Sequence, residues 1–446
     1  MKLENTRAAV VGMARSGRAA ADLLKEKGAR VIEVDRKLGN QKPESFADAD
    51  LVVLSPGVPA DLEELGEARA RGVYVIGDLE LASWYLKGDV IGITGSNGKT
   101  TTTALTGHIL AQCGIPAQVG GNIGTPPCSM VATSREGQWN VLELSSFQLE
   151  TIDRFRARIG ACLNITPDHL DRHYTLERYA AAKARLFENQ TPEDFAVLNA
   201  DDPRTRELVQ SVRARVMWFG VSADWTHNAD RSQESGVRRA RHGGESEPIG
   251  TAEYRSRRRA PGGLTLAESD VPLRGRHNLE NAMAAALIAR LAGADDERIR
   301  AAIRTFPGVE HRLEFVREID GVAWYNDSKA TNVDATKKAL EAFPGRLWVI
   351  LGGKDKDSDY AGLAPLLAVK AHAGLLIGAA AEKIQRQMNG AAELIPCGTL
   401  ETAVHEARFR ARAGDTVLLA PACASFDQFE NFEHRGREFK RLVREL

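Results

Sequence analysis

The sequence predicts an α/β chain of three domains in series. Two observations carry this. Short apolar runs alternate with helical stretches along nearly the whole chain, and its 446 residues exceed what a single hydrophobic core usually organises. A third observation fixes one division: a strand running into a glycine-rich turn and then a helix, VIGITGSNGKTTTA, opens a second unit close to residue 90.

In the first unit, RAAVVG reads as a strand, RAAADLLKEKG as a helix, RVIEVD and DLVVLSPGV as strands and DLEELGEARARG as a helix. This βαβ patterning predicts a parallel sheet covered by helices. The second unit continues from DVIGITG through the helix TTTALTGHILAQCG, the strands WNVLELSSFQ and ARIGACLNI, the helix LERYAAAKARLFENQ and the strand FAVLN, and closes on the helix NLENAMAAALIARLAG. Residues 222–263 are rich in Arg, Gly, Ser and Glu and read as loops and short antiparallel strands within this unit. The third unit carries the strands VAWYNDS, RLWVILGG, AGLLIGAA and DTVLLAP with helices between them. The expected domains are 1–90, 91–296 and 297–446.

Acidic and basic residues nearly cancel, leaving a formal charge of −1, which argues against a whole-chain attraction to nucleic acid or to a membrane surface. The five cysteines, Cys113, Cys128, Cys162, Cys397 and Cys423, form no CxxC pair and read as buried thiols of a reducing compartment. The start, MKLENTRAAVVG, lacks a signal-peptide core, and no apolar run reaches the length of a membrane span. A cytoplasmic protein is expected.

The turn in VIGITGSNGKTTTA carries the sharpest chemistry. Gly95 and Gly98 let backbone amides approach phosphate oxygens, with Ser96 and Asn97 between them. Lys99 brings a positive charge to the β- and γ-phosphates, and the hydroxyl of Thr100 or Thr101 can reach Mg²⁺. The pattern GxxxxGK[ST] is missed by one position, because residue 93 is Ile. Oxygen ligands for magnesium have candidates nearby. Glu143 ends the strand WNVLELSS, where α/β folds place ligands, and the following SSFQ reads as a specialised turn. NITPDHLDRH gathers Asp168, His169, Asp171, Arg172 and His173 after another strand. Lys183, on the next helix, reads by itself as a surface lysine.

TGSNGKTT, ELSSFQLE, NITPDHLDRH with YAAAK, GRHNLEN, GVEHRLE and NDSKATN together resemble the Mur ligases, over essentially the whole chain. The tail LAPACASFDQFENFEHRGREF, with NDSKATN and GGKDKDSDY, is similar to the member of that family that adds D-glutamate to UDP-N-acetylmuramoyl-L-alanine. The resemblance implies a Rossmann-like N-terminal domain binding the UDP-sugar, a P-loop-containing central ATPase domain, and a Rossmann-like C-terminal domain binding the amino acid and closing on ATP. It implies ATP and two Mg²⁺ ions, with Thr100, Glu143, His169 and a carbamylated Lys183 near the metals; an ammonium cannot ligate Mg²⁺, whereas a carbamate can. It places Asn278 and Asn281 near the adenine, and Arg312, Asp327 and Lys329 on the nucleotide. Thr331, Lys356, Ser425 and Phe432 fall to D-glutamate, and Arg15, Ser16, Asp35, Arg36 and Asn122 to the UDP-sugar. A monomer acting on small molecules, with no nucleic acid and no membrane, is expected. Two features depart from the family pattern: GMARSG puts Arg15 where a small residue is expected, and the segment 231–259 is unusually long and charged.

The implied chemistry moves the γ-phosphoryl group of ATP onto a carboxylate, and an amine then displaces phosphate from the acyl phosphate; Lys99 and Arg312 answer the charge that builds on oxygen. An NAD-dependent oxidoreductase, suggested by VVGMARSG followed by Asp35, has a broken GxGxxG and no use for Lys99. A non-catalytic P-loop switch leaves NDSKATN and the tail unexplained. Sister ligases adding another residue, including folate polyglutamate enzymes, are the nearest alternatives.

Overall fold

The computed structural model describes residues 3–221, 266, 270–273, 275–388 and 390–446. The arginine-rich segment 231–259 and the loops expected over 222–263 lie outside the described residues. Packing separates two compact units: residues 1–270 with 280–306, and residues 271–279 with 307–446.

The first unit holds two parallel sheets. One runs β2-β1-β3-β4, from β1 (Arg7–Val11), β2 (Arg30–Val34), β3 (Leu51–Leu54) and β4 (Tyr74–Gly77). Its strands alternate faces with period two. Ala8, Val10, Leu51 and Val53 pack on Ala20, Leu23 and Leu24 of the helix Arg15–Glu26. Ala9, Val11, Val52 and Leu54 pack on Phe46 and Leu65. The second sheet runs β10-β9-β8-β5-β7-β6, from β5 (Asp89–Thr94), β6 (Ala117–Gly121), β7 (Trp139–Glu143), β8 (Ile159–Cys162), β9 (Phe195–Asn199) and β10 (Arg215–Phe219). The expected strand WNVLELSSFQ ends at Glu143; Ser146–Leu149 is a helical turn, because Ser145 and Gln148 form a reciprocal capping box.

The two sheets of this unit are joined through Glu80, whose fully buried carboxylate accepts the amides of Asp153 (2.8 Å), Arg154 (3.0 Å) and Phe155 (2.9 Å) and the Trp84 indole N–H (2.8 Å). The Gly77 amide donates to Thr151 O (3.1 Å) and the Tyr74 hydroxyl bonds Asp153. The helix Asp296–Arg304, expected at the start of the third domain, belongs to this unit: the His108 ring nitrogen Nε2 meets Ala302 O at 3.0 Å and Thr305 Oγ1 at 3.1 Å. By packing, residues 297–306 group with the first unit.

The second unit is one sheet ordered β11-β12-β16-β13-β14-β15, from β11 (Glu314–Ile319), β12 (Val322–Asn326), β13 (Leu347–Gly352), β14 (Ala371–Ile377), β15 (Glu393–Gly398) and β16 (Thr416–Leu419). Only β11 is antiparallel to its neighbour. The last strand inserts between β12 and β13, so the C-terminal ends of β12, β16 and β13 lie side by side.

Near Glu80 sits an unlike carboxyl. Asp78 is fully buried, and neither of its oxygens has a partner with hydrogen-bond geometry, although Ser16, Gln148 and the Leu79 amide approach it. Burial pushes it up from 3.8 to about 7. A carboxyl raised on folding costs stability as it ionises, so stability falls as pH rises from about 4 through about 7. Asp78→Asn should remove that loss, gaining more than about 1 kcal/mol over wild type at pH 8 and little at pH 4; urea unfolding at the two pH values checks it, and an equal shift at both would contradict it.

Candidate active site

The phosphate loop leaves the centre of the second sheet. β5 pairs with β7 on one side and β8 on the other, so Gly95–Thr101 emerges between their C-terminal ends, at the crevice where α/β sheets place ligands. Gly95 (φ 149°) and Gly98 (φ 86°) hold conformations that side chains rarely adopt, and a Cβ at Gly98 would run into the Asn281 amide. Gly98 caps the helix Lys99–Gln112. The loop is fixed by the segment after β8. Asn164 Oδ1 accepts the Asn97 amide (2.8 Å), its Nδ2 donates to Asn97 O (3.1 Å), and Asn164 O accepts the Ser96 amide (2.9 Å). Ser96 Oγ donates to Thr166 O and accepts the Thr166 amide, each at 2.9 Å. Asn164 and Thr166 escaped the sequence reading, which weighed only the Asp, His and Arg of the same run.

Two lysines meet at one carbonyl. Lys99 Nζ folds back on Gly95 O (2.7 Å) and Ser96 O (2.9 Å). Lys183 Nζ donates to the same Gly95 O (2.9 Å) and lies 4.4 Å from the centroid of the Tyr179 ring. Lys183 is not a surface lysine: it is 1% exposed, and burial, reinforced by the Lys99 charge, drives its amine well below the ordinary lysine value. Glu143, 2% exposed at the end of β7, accepts the Asn122 side-chain amide on Oε1 (3.1 Å), while Oε2 has no partner. Thr100 and Thr101 are buried, and Thr101 Oγ1 is also without a partner. An unsatisfied buried carboxylate oxygen and an unsatisfied buried hydroxyl near the phosphate loop are oxygen donors of the kind a hard cation takes. Among the described residues, no three His, Cys, Asp or Glu side chains converge on a ready-made metal cluster.

His169 follows with a left-handed backbone (φ 53°) and a half-exposed ring, edge-on to Phe147 at 4.9 Å and 3.6 Å from Asp168. Buried His173 supports that turn: its Nε2 meets Ser146 Oγ (2.9 Å) and its Nδ1 meets Glu150 (3.2 Å). Arg172 bonds Glu150 Oε2 (2.9 Å) and Val58 O (3.1 Å). Asn281, in the helix Arg276–Leu291, reaches Thr102 Oγ1 at 3.4 Å; Asn278 of that helix belongs to the second unit.

On the first sheet, the loop after β1 carries exposed Arg15 and half-buried Ser16 at a helix start. Asp35, at the end of β2, accepts the amides of Met13 (2.6 Å) and Lys37 (2.8 Å), which hold its carboxyl below the usual range, and Arg36 beside it is exposed.

The second unit gathers its candidates on the adjoining ends of β12, β16 and β13. Burial pushes Asp327 up to about 6 against the pull of Arg312, whose buried Nε has no partner. Lys329 Nζ lies 4.1 Å from the Phe432 ring centroid. Thr331 follows half-buried, Ser425 is buried beyond β16, and Lys356 is exposed beyond β13. Arg435, which the sequence reading passed over, clamps these loops: it is 0% exposed and bonds Ser328 O (2.9 Å), Ser328 Oγ (3.0 Å) and Cys423 O (3.2 Å). Burial lowers its guanidinium to about 10.

Residues 93–289 match the Mur ligase middle domain, and residues 311–423 match the Mur ligase glutamate ligase domain. A protein of Solibacter usitatus named UDP-N-acetylmuramoylalanine–D-glutamate ligase is 53% identical over 100% of this chain and 99% of its own. One of the same name from Acidobacterium capsulatum is 48% identical over 99% of this chain and 97% of its own. The chain belongs to the Mur ligase family. The crystal structure of a UDP-N-acetylmuramate–alanine ligase from Thermotoga maritima, at 19% identity, shares the fold over 99% of each chain with a TM-score of 0.59. The Mur ligase architecture thus accounts for three parallel-rich sheets in one chain, and this member is a ligase.

Because Asn164 holds both sides of the Asn97 peptide, Asn164→Ala should loosen the phosphate loop and raise the KM for ATP about tenfold with a smaller effect on melting temperature. Steady-state kinetics over an ATP series checks this; an unchanged KM would contradict it.

Proposed function

We propose that this Mur ligase joins D-glutamate to UDP-N-acetylmuramoyl-L-alanine, consuming ATP and releasing ADP and phosphate, as a cytoplasmic monomer in peptidoglycan precursor synthesis. The observation that carries the substrate choice is the 53% identity, end to end, with a relative named for that reaction. Net charge near zero fits small-molecule substrates, and no described helix is long and apolar enough to cross a membrane.

In this reading the three sheets are three domains. The first binds the UDP-sugar through Arg15, Ser16, Asp35 and Arg36, with Asn122 assisting from the central domain. The central domain binds ATP through Gly95–Thr101, with Asn278 and Asn281 assigned to the adenine. The last domain brings D-glutamate through Thr331, Lys356, Ser425 and Phe432, and assigns Arg312, Asp327 and Lys329 to the nucleotide. Lys99 and the helix start behind it hold the β- and γ-phosphates. The substrate carboxylate oxygen attacks the γ-phosphorus and ADP leaves. The D-glutamate nitrogen then attacks the acyl carbon, gives up a proton, for which His169 is the candidate acceptor, and phosphate departs.

Thr100, Glu143, His169 and Lys183 are the residues that would hold two magnesium ions, which when bound would offset the negative charge of the phosphates and of the tetrahedral acyl centre. The depressed Lys183 amine suits carbamylation: its neutral nitrogen adds to CO₂ and releases a proton, turning an amine beside Gly95 into an anionic oxygen ligand.

Phosphate release measured on UDP-N-acetylmuramoyl-L-alanine with a panel of amino acids should require D-glutamate; turnover with L-amino acids alone would refute the substrate. Lys183→Ala should lose activity by about 100-fold or more, and added bicarbonate should not restore it. A fully active variant would refute the carbamate.

A further inference from the structure

The loop after β13 reads Gly-Gly-Lys-Asp-Lys-Asp, from Gly352 to Asp357. Alternating charges on a short exposed loop would be expected to neutralise one another. Here they do not. Asp355 Oδ2 pairs with Lys383 Nζ at 2.8 Å, and Asp357 Oδ1 pairs with the same Nζ at 3.2 Å. Asp355 is further held by the Tyr360 hydroxyl on Oδ1 (2.7 Å) and by the Ser358 amide (3.2 Å). Tyr360 is fully buried, its hydroxyl also meets Cys423 Sγ (3.0 Å), and its amide donates to Gln387 Oε1 (2.9 Å). Lys383 and Gln387 belong to one helix, Ala381–Gln387, so the loop is tied to it at both of its ends. Lys354 joins β13's exit to the chain beyond β16, its amide donating to Ala424 O (2.8 Å), next to Ser425. Among the described residues neither Lys354 nor Lys356 has a carboxylate partner, and both are exposed.

We propose that Lys383 is a positioning residue for the incoming amino acid: it neutralises the Asp355 carboxylate, so that Lys354 and Lys356 are both left to receive a substrate bearing two carboxylates. This rests on the D-glutamate reading. It adds Lys354 as a second cation and gives Lys383 a role at one remove from substrate. Tyr360 and Ser358 would keep Asp355 in place without Lys383, so the loop fold does not depend on the lysine. What the lysine supplies is charge balance. Without it, an uncompensated carboxylate is left in the same loop as the two lysines, where it offsets their charge and repels a dianionic ligand. A residue that served only to hold the loop would show no such dependence on the Asp355 charge.

The test compares wild type, Lys383→Met, Lys383→Arg, Asp355→Asn and the double variant Lys383→Met/Asp355→Asn, all as full-length chains. Lys383→Met should raise the KM for D-glutamate about tenfold or more, with kcat and the KM for ATP within about twofold of wild type. Lys383→Arg should stay near wild type. The double variant should return the KM to within about threefold of wild type, because the offending carboxylate is gone. An unchanged KM in Lys383→Met, a double variant worse than the single one, or parallel losses in kcat and ATP binding would each overturn the proposal. If wild type rejects D-glutamate, the substrate reading has failed. The same five proteins are then compared on the amino acid it does use, where rescue by Asp355→Asn still supports the role of Lys383 and its absence still overturns it.

Discussion

The candidate site of the first unit is organised around one carbonyl. Gly95 O accepts both Lys99 and Lys183, at 2.7 and 2.9 Å, and Lys183 is buried. Two full positive charges that close, with one out of reach of solvent, are mutually costly, and burial decides which gives way. Lys99 is only half-buried. Lys183 becomes the weak base. The left-handed Gly95 that presents this carbonyl, the Glu143 oxygen left without a partner and the amide clamp from Asn164 all serve the same small volume. A lysine buried for packing alone would find carboxylates or solvent for its head; this one is turned onto the phosphate loop.

The sheets explain why so few residues suffice. In each, the candidate groups leave the C-terminal ends of neighbouring strands: β5, β7 and β8 in the second sheet, and β12, β16 and β13 in the third. Parallel strands aim all their exits the same way, so residues far apart in sequence, such as Asp327, Lys356 and Ser425, share one edge of one sheet without any local motif joining them. The structure then fixes these exits with buried polar clamps, Asn164 in one unit and Arg435 in the other. Such clamps reach backbone groups rather than other charges, which makes them sensitive to geometry.

Legibility in the sequence followed burial. The central strands β5, β7, β8, β13 and β16 were all read, because strands covered on both faces are continuous apolar runs. The strands missed were β4, β6, β10, β11 and β15, and each lies at the edge of its sheet. Edge strands carry polar and half-exposed positions, as in Glu393–Gly398, and their pattern does not stand out from loop. The phosphate loop was legible because its chemistry is local. The burial of Lys183 was not legible, since a single lysine on an amphipathic helix has no signature of burial. Asn164, Arg435 and Lys383 were not legible: an asparagine two residues before a threonine, an arginine in a charged helix and a lysine in another are indistinguishable from surface residues until the fold brings their partners to them. That the helix Asp296–Arg304 packs with the first unit was not legible for the same reason, as its contact with His108 is long-range.

The claim on which the account turns is that Lys183 is a neutral amine able to take up CO₂. Carbon-13 NMR of the protein equilibrated with ¹³C-labelled bicarbonate tests it directly. The account predicts one carbamate resonance that disappears on acidification and is absent from Lys183→Ala. Identical spectra from the two proteins would contradict it.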